Sequence, residues 1–255
     1  MIFIMSPTKT FHKNIKSQEF NIDNILFPDK TKCIVKIIKK YSAEELAYIM
    51  KISKELGEIN YNRYKELEHG SQGYRAIDYF YGEGFKGLDA KSLKKESIDF
   101  AQSHMAILCG LYGIIRPLDI IMPYRLDVTC KLNINNSSLY SFWSESVTNY
   151  IMGKIGSTPG EKVLVNLASN EYSNMLNLKT VREKYNIVNI VFKEETENGY
   201  KIIGTYAKKA RGKLARHILD NKIDNVLGIK SFNSYGYLFT PELSNEDTVV
   251  FIRRK

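Results

Sequence analysis

The most unusual stretch of the chain is a basic segment, TYAKKARGKLARH, at residues 205–217, which holds five Lys and Arg residues and no Asp or Glu. On a helical wheel four apolar residues share one side: Ala207, Ala210, Leu214 and Ile218. Lys209, Lys213 and Arg216 fall on the opposite side, where contact with water explains them without any ligand. The spacing therefore predicts an amphipathic helix with one buried face.

Arg211 and Lys208 do not share that simple explanation, because both lie at the margin of the apolar face. A guanidinium is costly to desolvate unless it is paired, so Arg211 needs an anion nearby. That anion is either a carboxylate of this protein or the acidic group of a ligand, and the sequence leaves both open. Lys208 and Lys209 also fall in the first turn of the predicted helix, where free N–H groups favour anions. This placement favours an external anion over mere solubility.

A second stretch, ILCGLYGIIRPLDIIMPYRLD, is rich in Gly, Pro and Arg. Gly110 and Gly113 bracket a tight turn with Tyr112 at its tip, and Arg116 and Arg125 are spaced so that both could face one cleft. Turns with Gly at each end let backbone N–H groups approach a phosphate closely. The alternative is a plain structural loop, which the sequence alone does not exclude.

Polar residues follow two apolar segments that read as buried strands. Ser6 and Lys9 come after MIFIM, and NLASNEY places Asn166, Ser169 and Glu171 at the end of a later strand. In α/β folds the carboxyl ends of strands often form ligand sites, so these side chains could line a polar pocket with Lys9 as a base or nucleophile. The alternative is a helix cap with a buried hydrogen-bond network.

Signals for metal or cofactor chemistry are absent from the sequence. The four His residues, at positions 12, 69, 104 and 217, are scattered, and three Cys residues lie far apart. No His-Glu-x-x-His, phosphate-binding Gly-x-x-x-x-Gly-Lys-Ser/Thr or dinucleotide-binding Gly-x-Gly-x-x-Gly motif is present in a fitting context. We therefore expect no metal, no cofactor and no assigned catalytic residue, and an enzymatic role is left open but disfavoured.

Composition narrows the class of protein. The chain has 255 residues, 44% of them hydrophobic, and a formal net charge of +9. This charge invites a nucleic-acid partner, but most of the basic residues are Lys in an Ile- and Asn-rich chain, so a composition bias accounts for part of it. No apolar run is long enough to span a membrane, and MIFIM is too short for a signal peptide. We expect a cytoplasmic protein.

Strand-like and helix-like segments alternate along the chain. Strands are predicted at MIFIM, residues 75–81, 105–109, 162–169, 188–193 and 200–206, and in SYGYLFT and TVVFIRR. Helices are predicted within residues 30–67, where Ser42 and Glu45 form a capping box, and at 90–103, 140–155 and 207–219. This alternation, with a hairpin at Asn198-Gly199, predicts an α/β protein with a mixed sheet, folded as one domain over residues 1–255.

Several quoted segments, taken together and in order, carry a resemblance. These are IMSPTKT, FKGLDA, LCGLYGIIRPLDIIMPYRLD, LYSFW, NLASNEY, YAKKARGKLAR and SYGYLF followed by EDTVVFIRR. From Met1 to Arg254 the chain resembles the YaaA peroxide-stress family. The resemblance implies a single α/β domain, described as cantaloupe-like, in a cytoplasmic bacterial protein that limits oxidative damage under peroxide and lowers free intracellular iron.

The resemblance also implies DNA binding through a basic cleft that has a helix-hairpin-helix-like element. We place this element at Gly110 to Arg116 and expect it to contact phosphates, with Tyr112 stacking beside a base. The full set of residues expected to bind DNA or another anion is Lys9, Gly110, Tyr112, Gly113, Arg116, Arg125, Lys208, Lys209, Arg211 and Arg216.

The leading hypothesis is a non-enzymatic protein that binds DNA largely without sequence specificity. The alternative is an enzyme acting on a nucleotide, nucleobase or damaged nucleic acid in a pocket built from Ser6, Lys9, Asn166, Ser169, Glu171 and Arg211. An open basic groove would favour the first hypothesis, and an enclosed pocket holding Lys9 and Glu171 would favour the second. A direct iron-sequestering protein ranks last.

Overall fold

The computed structural model describes residues 1–67 and 71–254 of the chain. The strands are β1 (Ile2–Met5), β2 (Gln18–Phe20), β3 (Ser71–Arg75), β4 (Met105–Cys109), β5 (Gly113–Ile115), β6 (Ile120–Ile121), β7 (Val163–Asn166), β8 (Asn186–Thr196), β9 (Gly199–Lys201), β10 (Tyr237–Phe239) and β11 (Thr248–Arg253). The helices are α1 (Pro28–Ile38), α2 (Ala43–Met50), α3 (Lys54–Glu66), α4 (Ala76–Tyr79), α5 (Glu83–Leu88), α6 (Lys95–His104), α7 (Leu139–Ser157), α8 (Asn170–Ser173), α9 (Leu178–Arg182), α10 (Gly204–Asp220) and α11 (Val226–Ile229).

The main sheet is mixed and has eight strands in the order β10-β11-β8-β7-β1-β4-β5, with β9 paired to the end of β8. Neighbouring strands from β11 to β4 are parallel, whereas β10, β5 and β9 are antiparallel to their partners. Every residue of β1, β4 and β7 is buried, as expected for central parallel strands covered on both faces. The α/β class and the mixed sheet predicted from the alternation are confirmed.

The order of the strands creates a switch point beside β1. The chain leaves β1 for β4 on one side, later places β7 on the other side, and continues outward from β7 to β8. Crevices at the carboxyl ends of strands around such a point are the usual ligand sites of open α/β sheets. The first place to look for a site is therefore where β1 and β7 end.

Most of the predicted elements are present. The first strand, the helices between residues 28 and 66 with the Ser42–Glu45 capping box, β4, α7 and the β8–β9 hairpin are confirmed. In α10 all four residues of the predicted apolar face are buried. This helix packs closely against α5 and also contacts β8.

Three element predictions are wrong. The aromatic segment at residues 75–81 forms the single-turn helix α4, because Tyr79 stacks on Phe11 and Tyr74 rather than alternating between two faces of a sheet. The strand expected at residues 200–206 ends at Lys201, since α10 already begins at Gly204. The helix expected from residue 90 begins at Lys95, after a short 3-10 turn.

Candidate functional site

A cavity of about 330 Å³ lies at the carboxyl ends of β1 and β7, beside the switch point. Four segments build it: the loop after β1, the loop after β7 with α8, the segment that follows Pro123, and the facing sides of α5 and α10. The lining residues that carry charge or a polar side chain are Ser6, Thr8, Lys9, Glu83, Tyr124, Arg125, Asp127, Ser169, Glu171, Tyr172, Lys208 and Arg211.

Hydrogen bonds hold the ends of β1 and β7 together. The Ser169 backbone N–H donates to the Ser6 hydroxyl over 2.9 Å, and that hydroxyl lies 3.3 Å from the Ser169 hydroxyl. Asn166 is buried, accepts from the Ala168 backbone N–H and donates to the Asn189 side chain. Asn166 therefore turns the chain and does not line the cavity, contrary to its predicted place in the polar pocket. Ser6 and Ser169 do line it.

The segment that carries Arg125 is held in place by hydrogen bonds and by close backbone packing. The Tyr64 hydroxyl donates to the Arg125 carbonyl over 3.0 Å, and the Cys109 thiol donates to the Tyr124 hydroxyl over 2.9 Å. At Gly110 a Cβ would lie 2.4 Å from the Leu126 carbonyl oxygen, so only glycine allows this segment to pack so close. Because its backbone is held on this side, Arg125 is fixed at the cavity.

Arg125 and Arg211 have no counter-charge among the residues that the structure describes. The Nε atom of each is buried and has no hydrogen-bond partner in the described part of the chain. Burial lowers the pKa of the Arg211 guanidinium, which expresses the cost of keeping its charge away from water. Of the two alternatives that the sequence left open for Arg211, an ion pair with a carboxylate of this protein is therefore excluded for residues 1–67 and 71–254.

The remaining charges of the cavity are partly neutralised. Lys9 forms an ion pair with Asp127 at 2.8 Å, and Asp127 also accepts from the Tyr172 hydroxyl. Glu83 pairs with Lys86 at 2.8 Å outside the cavity. A Lys ammonium held in an ion pair lacks the lone pair that a base or nucleophile uses. The pairing with Asp127 therefore speaks against the catalytic role considered for Lys9.

The hairpin expected to grip phosphate is a β-hairpin, not a helix-hairpin-helix-like element. Gly110 lies in the connection between β4 and β5, Gly113 is the first residue of β5, and both are buried. Tyr112 is only 1% exposed, and its hydroxyl accepts from the Met122 backbone N–H. In this structure the three residues cannot reach a phosphate or stack on a base. The Gly-Leu-Tyr-Gly turn instead supports the Arg125 segment from within.

Two of the predicted anion-binding arginines lie elsewhere and are paired. Arg116 binds Asp119 at 2.7 Å, away from the cavity, so Arg116 and Arg125 do not face one cleft. Arg216 pairs with Asp220 at 2.6 Å and donates to the hydroxyl and carbonyl of Ser92. Both guanidiniums are satisfied by the protein itself, through carboxylates only three and four residues further along the chain.

The two lysines near the start of α10 lie in different environments. Lys208 lines the cavity and is exposed, whereas the Lys209 ammonium lies 5.0 Å from the Tyr235 ring and is absent from the cavity lining. Because α10 begins at Gly204, both lysines come after its first turn. The prediction that they fall in the first turn, beside the free N–H groups, is therefore wrong, and the case for Lys208 depends on its position at the cavity.

Among the described residues, no group of three or more His, Cys, Asp or Glu side chains is placed to hold a metal ion. His69 lies outside the described residues. The three cysteines are free thiols, and burial raises the pKa of Cys109 to about 11. Within the described ranges, no helix combines the length and apolar character that crossing a membrane requires.

Sequence reasoning missed five polar or charged lining residues: Thr8, Glu83, Tyr124, Asp127 and Tyr172. Tyr124 and Asp127 lie on either side of Arg125, a predicted anion-binding residue, and Tyr172 ends the NLASNEY segment. Residues next to them in the sequence were predicted to line a site, but their own contacts are distant in the chain. Asp127 bonds Tyr172, more than 40 residues away, and pairs with Lys9, more than 100 residues away. Only the fold brings these groups together.

Comparison with known proteins identifies the family. The family model described as "Peroxide stress protein YaaA" matches residues 1–243 of the chain. The chain belongs to the YaaA peroxide-stress family. It is 42% identical over 258 residues to a UPF0246 protein of Legionella pneumophila, covering 99% of both chains. It is 37% identical over 257 residues to a UPF0246 protein of Francisella philomiragia, covering 99% of this chain and 100% of the relative.

Proposed function

We propose that this YaaA-family chain acts in peroxide stress by binding DNA, largely independently of sequence, and that it does so by holding a DNA phosphate between Arg125 and Arg211. The observation that carries the proposal is the pair of buried guanidinium Nε atoms without a partner in the described residues. Arg presents a rigid fork of donors that matches phosphate oxygens, and a buried unpaired charge is retained at a cost unless a ligand neutralises it.

The surroundings of the cavity support contact with a large polyanion. Lys208 is exposed at the rim and has no ion-pair partner in the described ranges, and Lys9 keeps 55% of its side chain exposed. The chain as a whole carries a formal charge of +9. Positive charge of this kind raises the local concentration of nucleic acid and steers it toward the rim.

The test is a titration of a fluorescent duplex of about 25 base pairs with wild-type protein and with the Arg211→Met variant. Loss of one guanidinium that bonds a phosphate should weaken binding by about tenfold or more. The matched control is Arg182→Met, which removes the same charge at the other end of the parallel strands. Arg182 pairs there with Asp247, close to the amino ends of β8 and β11. Equal affinity of the Arg211 variant and the control would refute the proposal.

The family's association with lower free intracellular iron is proposed for this chain as an indirect effect. The effect would then depend on DNA binding and not on iron stored by the protein itself. Complementation of a deletion strain tests this idea: the Arg211→Met variant should fail to restore low chelatable iron. Full restoration of low chelatable iron by that variant would show that the effect on iron does not depend on the cavity.

A second candidate function is an enzyme that acts on a nucleotide, nucleobase or damaged nucleic acid. It is favoured by one observation: Ser6, Ser169, Glu171 and Arg211 line the same cavity, which is partly enclosed. Glu171 has no hydrogen bond or ion pair in the described residues and is therefore the group best placed to accept a proton. Incubation with nucleotides, nucleosides and oxidised oligonucleotides, followed by mass spectrometry, should then give a product that Glu171→Gln abolishes. No mass change with any substrate would exclude this candidate.

A further inference from the structure

The cations of the cavity lie at two depths. The Nε atoms of Arg125 and Arg211 are buried, whereas Lys9 and Lys208 are exposed at the rim and Lys9 is already paired with Asp127. Within the described ranges the unpaired positive charge is thus two guanidinium groups on the inner wall and the Lys208 ammonium at the rim. A ligand that neutralises them must carry its negative charge on a group that projects into the cavity.

Phosphates differ in their ability to do this. A phosphodiester within a strand has a sugar on each side, two free oxygens and a single negative charge. A phosphate monoester projects from one attachment point, has three free oxygens and carries a charge between about −1.5 and −2 near neutral pH. Two guanidinium forks match both the charge and the number of acceptor oxygens of a monoester.

The rest of the lining also suits a chain end or a small molecule better than a continuous backbone. Glu171 is exposed at the cavity and has no partner in the described residues, and Asp127 and Glu83 add two further carboxylates. Carboxylates repel a run of phosphates, but they accept hydrogen bonds from sugar hydroxyls and from the amino groups of bases. Such donors are available on a nucleotide or on a terminal nucleotide of a strand.

We propose that the cavity takes a phosphate monoester, as carried by a nucleotide or by the phosphorylated end of a DNA strand, with Arg125 and Arg211 binding its terminal oxygens. This deepens the proposed function and rests on it. Oxidative strand scission leaves phosphate monoesters at the broken ends, so this ligand chemistry agrees with a role in peroxide stress.

The experiment compares three forms of one fluorescent duplex: 5′-phosphorylated, 5′-hydroxyl, and closed by loops so that it has no ends. Adenosine monophosphate and adenosine serve as unlabelled competitors. We expect the phosphorylated duplex to bind about tenfold more tightly than the other two, and the Arg211→Met variant to lose that difference while Arg182→Met keeps it. Competition by the monophosphate but not by adenosine is expected as well.

The outcomes separate the two proposals. Equal, Arg211-dependent binding of all three duplexes would overturn the monoester inference and leave DNA binding intact. Arg211-dependent binding of the monophosphate without binding of any duplex would support the monoester inference, identify the nucleotide as its source and overturn DNA binding. Absence of binding to every probe would overturn both.

Discussion

At the scale of single residues, the molecule contains two half-buried arginines whose Nε atoms are buried and have no partner within the described ranges. Ordinary arginines of this chain behave differently: Arg116, Arg216 and Arg253 each have a carboxylate within 2.7 Å. An unpaired buried guanidinium lowers the stability of a protein, so its presence beside a cavity indicates binding rather than folding. This distinction leads to a prediction about stability.

Replacing Arg211 by Met should stabilise the protein, although it is expected to weaken DNA binding. Methionine keeps much of the length and apolar stem of Arg and removes the desolvated charge, which should raise the free energy of unfolding by about 1–2 kcal/mol. Urea denaturation measures the change. Arg216→Met provides the contrast: it removes bonds to Asp220 and Ser92 and should lower the same quantity by about 2 kcal/mol. A loss of stability in the Arg211 variant would mean that the guanidinium has an internal partner.

His104 gives a prediction on pH. Its ring is buried and stacked 3.7 Å from the Phe100 ring, and burial lowers its pKa although Nδ1 bonds the Phe100 carbonyl. The unfolded chain therefore takes up this proton at a higher pH than the folded chain, so stability is full above about pH 6.5 and falls as the pH drops toward the folded-state pKa. Urea denaturation at about pH 7.5 and about pH 5.5 should show a smaller loss for His104→Gln than for wild type. An unchanged loss would contradict this assignment.

At the scale of elements, the contact of α5 with α10 sets the position of both Arg211 and Lys208. A Cβ at Gly212 would lie 1.7 Å from the Gly84 carbonyl oxygen, so the two helices touch backbone to backbone. The cavity uses both helices at this contact: Glu83 to Phe85 on one side and Lys208 with Arg211 on the other. A change in the spacing of α5 and α10 must therefore move Arg211 and Lys208 relative to the rest of the cavity.

Gly212→Ala should push α5 and α10 apart. Because the obstacle is backbone rather than a flexible side chain, we expect a loss of at least about 2 kcal/mol in the free energy of unfolding, together with weaker DNA binding. Gly153→Ala is the matched control, since α7 is open at that position and alanine is the better helix former there. That variant should gain about 0.5–1 kcal/mol and bind as wild type does. Similar stability of the two variants would show that the helix contact is looser than described.

The sequence predicts correctly those features of the fold that are set by residues close together in the chain. The apolar face of α10, the capping box at Ser42 and the buried strands were readable because propensity and period act over a few residues. The cavity could be predicted only in part. Arg211 is identifiable from the sequence because it is a charged residue at the edge of the apolar face of α10. The burial of Tyr112 and the bonds from Arg216 to Ser92 depend on tertiary contacts, so the sequence predicts a phosphate-binding turn where the glycines in fact support the Arg125 segment. The pairs of Arg116 with Asp119 and of Arg216 with Asp220 are local, at spacings of three and four residues, and were missed by the sequence reasoning.

At the scale of the whole molecule, the formal charge of +9 overstates how much of the surface can bind DNA. The cations of the cavity without a protein partner in the described ranges are Arg125, Lys208 and Arg211. Counterion release then predicts a plot of the logarithm of affinity against the logarithm of salt concentration with a slope of about −3. Titration across about 50–200 mM salt measures it. A slope near −9 would show that binding spreads over the entire basic surface.

The most direct test of the central claim is a crystal structure of the protein with a short 5′-phosphorylated duplex bound. The account predicts a phosphorus atom inside the cavity, with its oxygens within hydrogen-bond distance of the Arg125 and Arg211 guanidiniums. A phosphate bound on another face, with no anion between the two arginines, would contradict it.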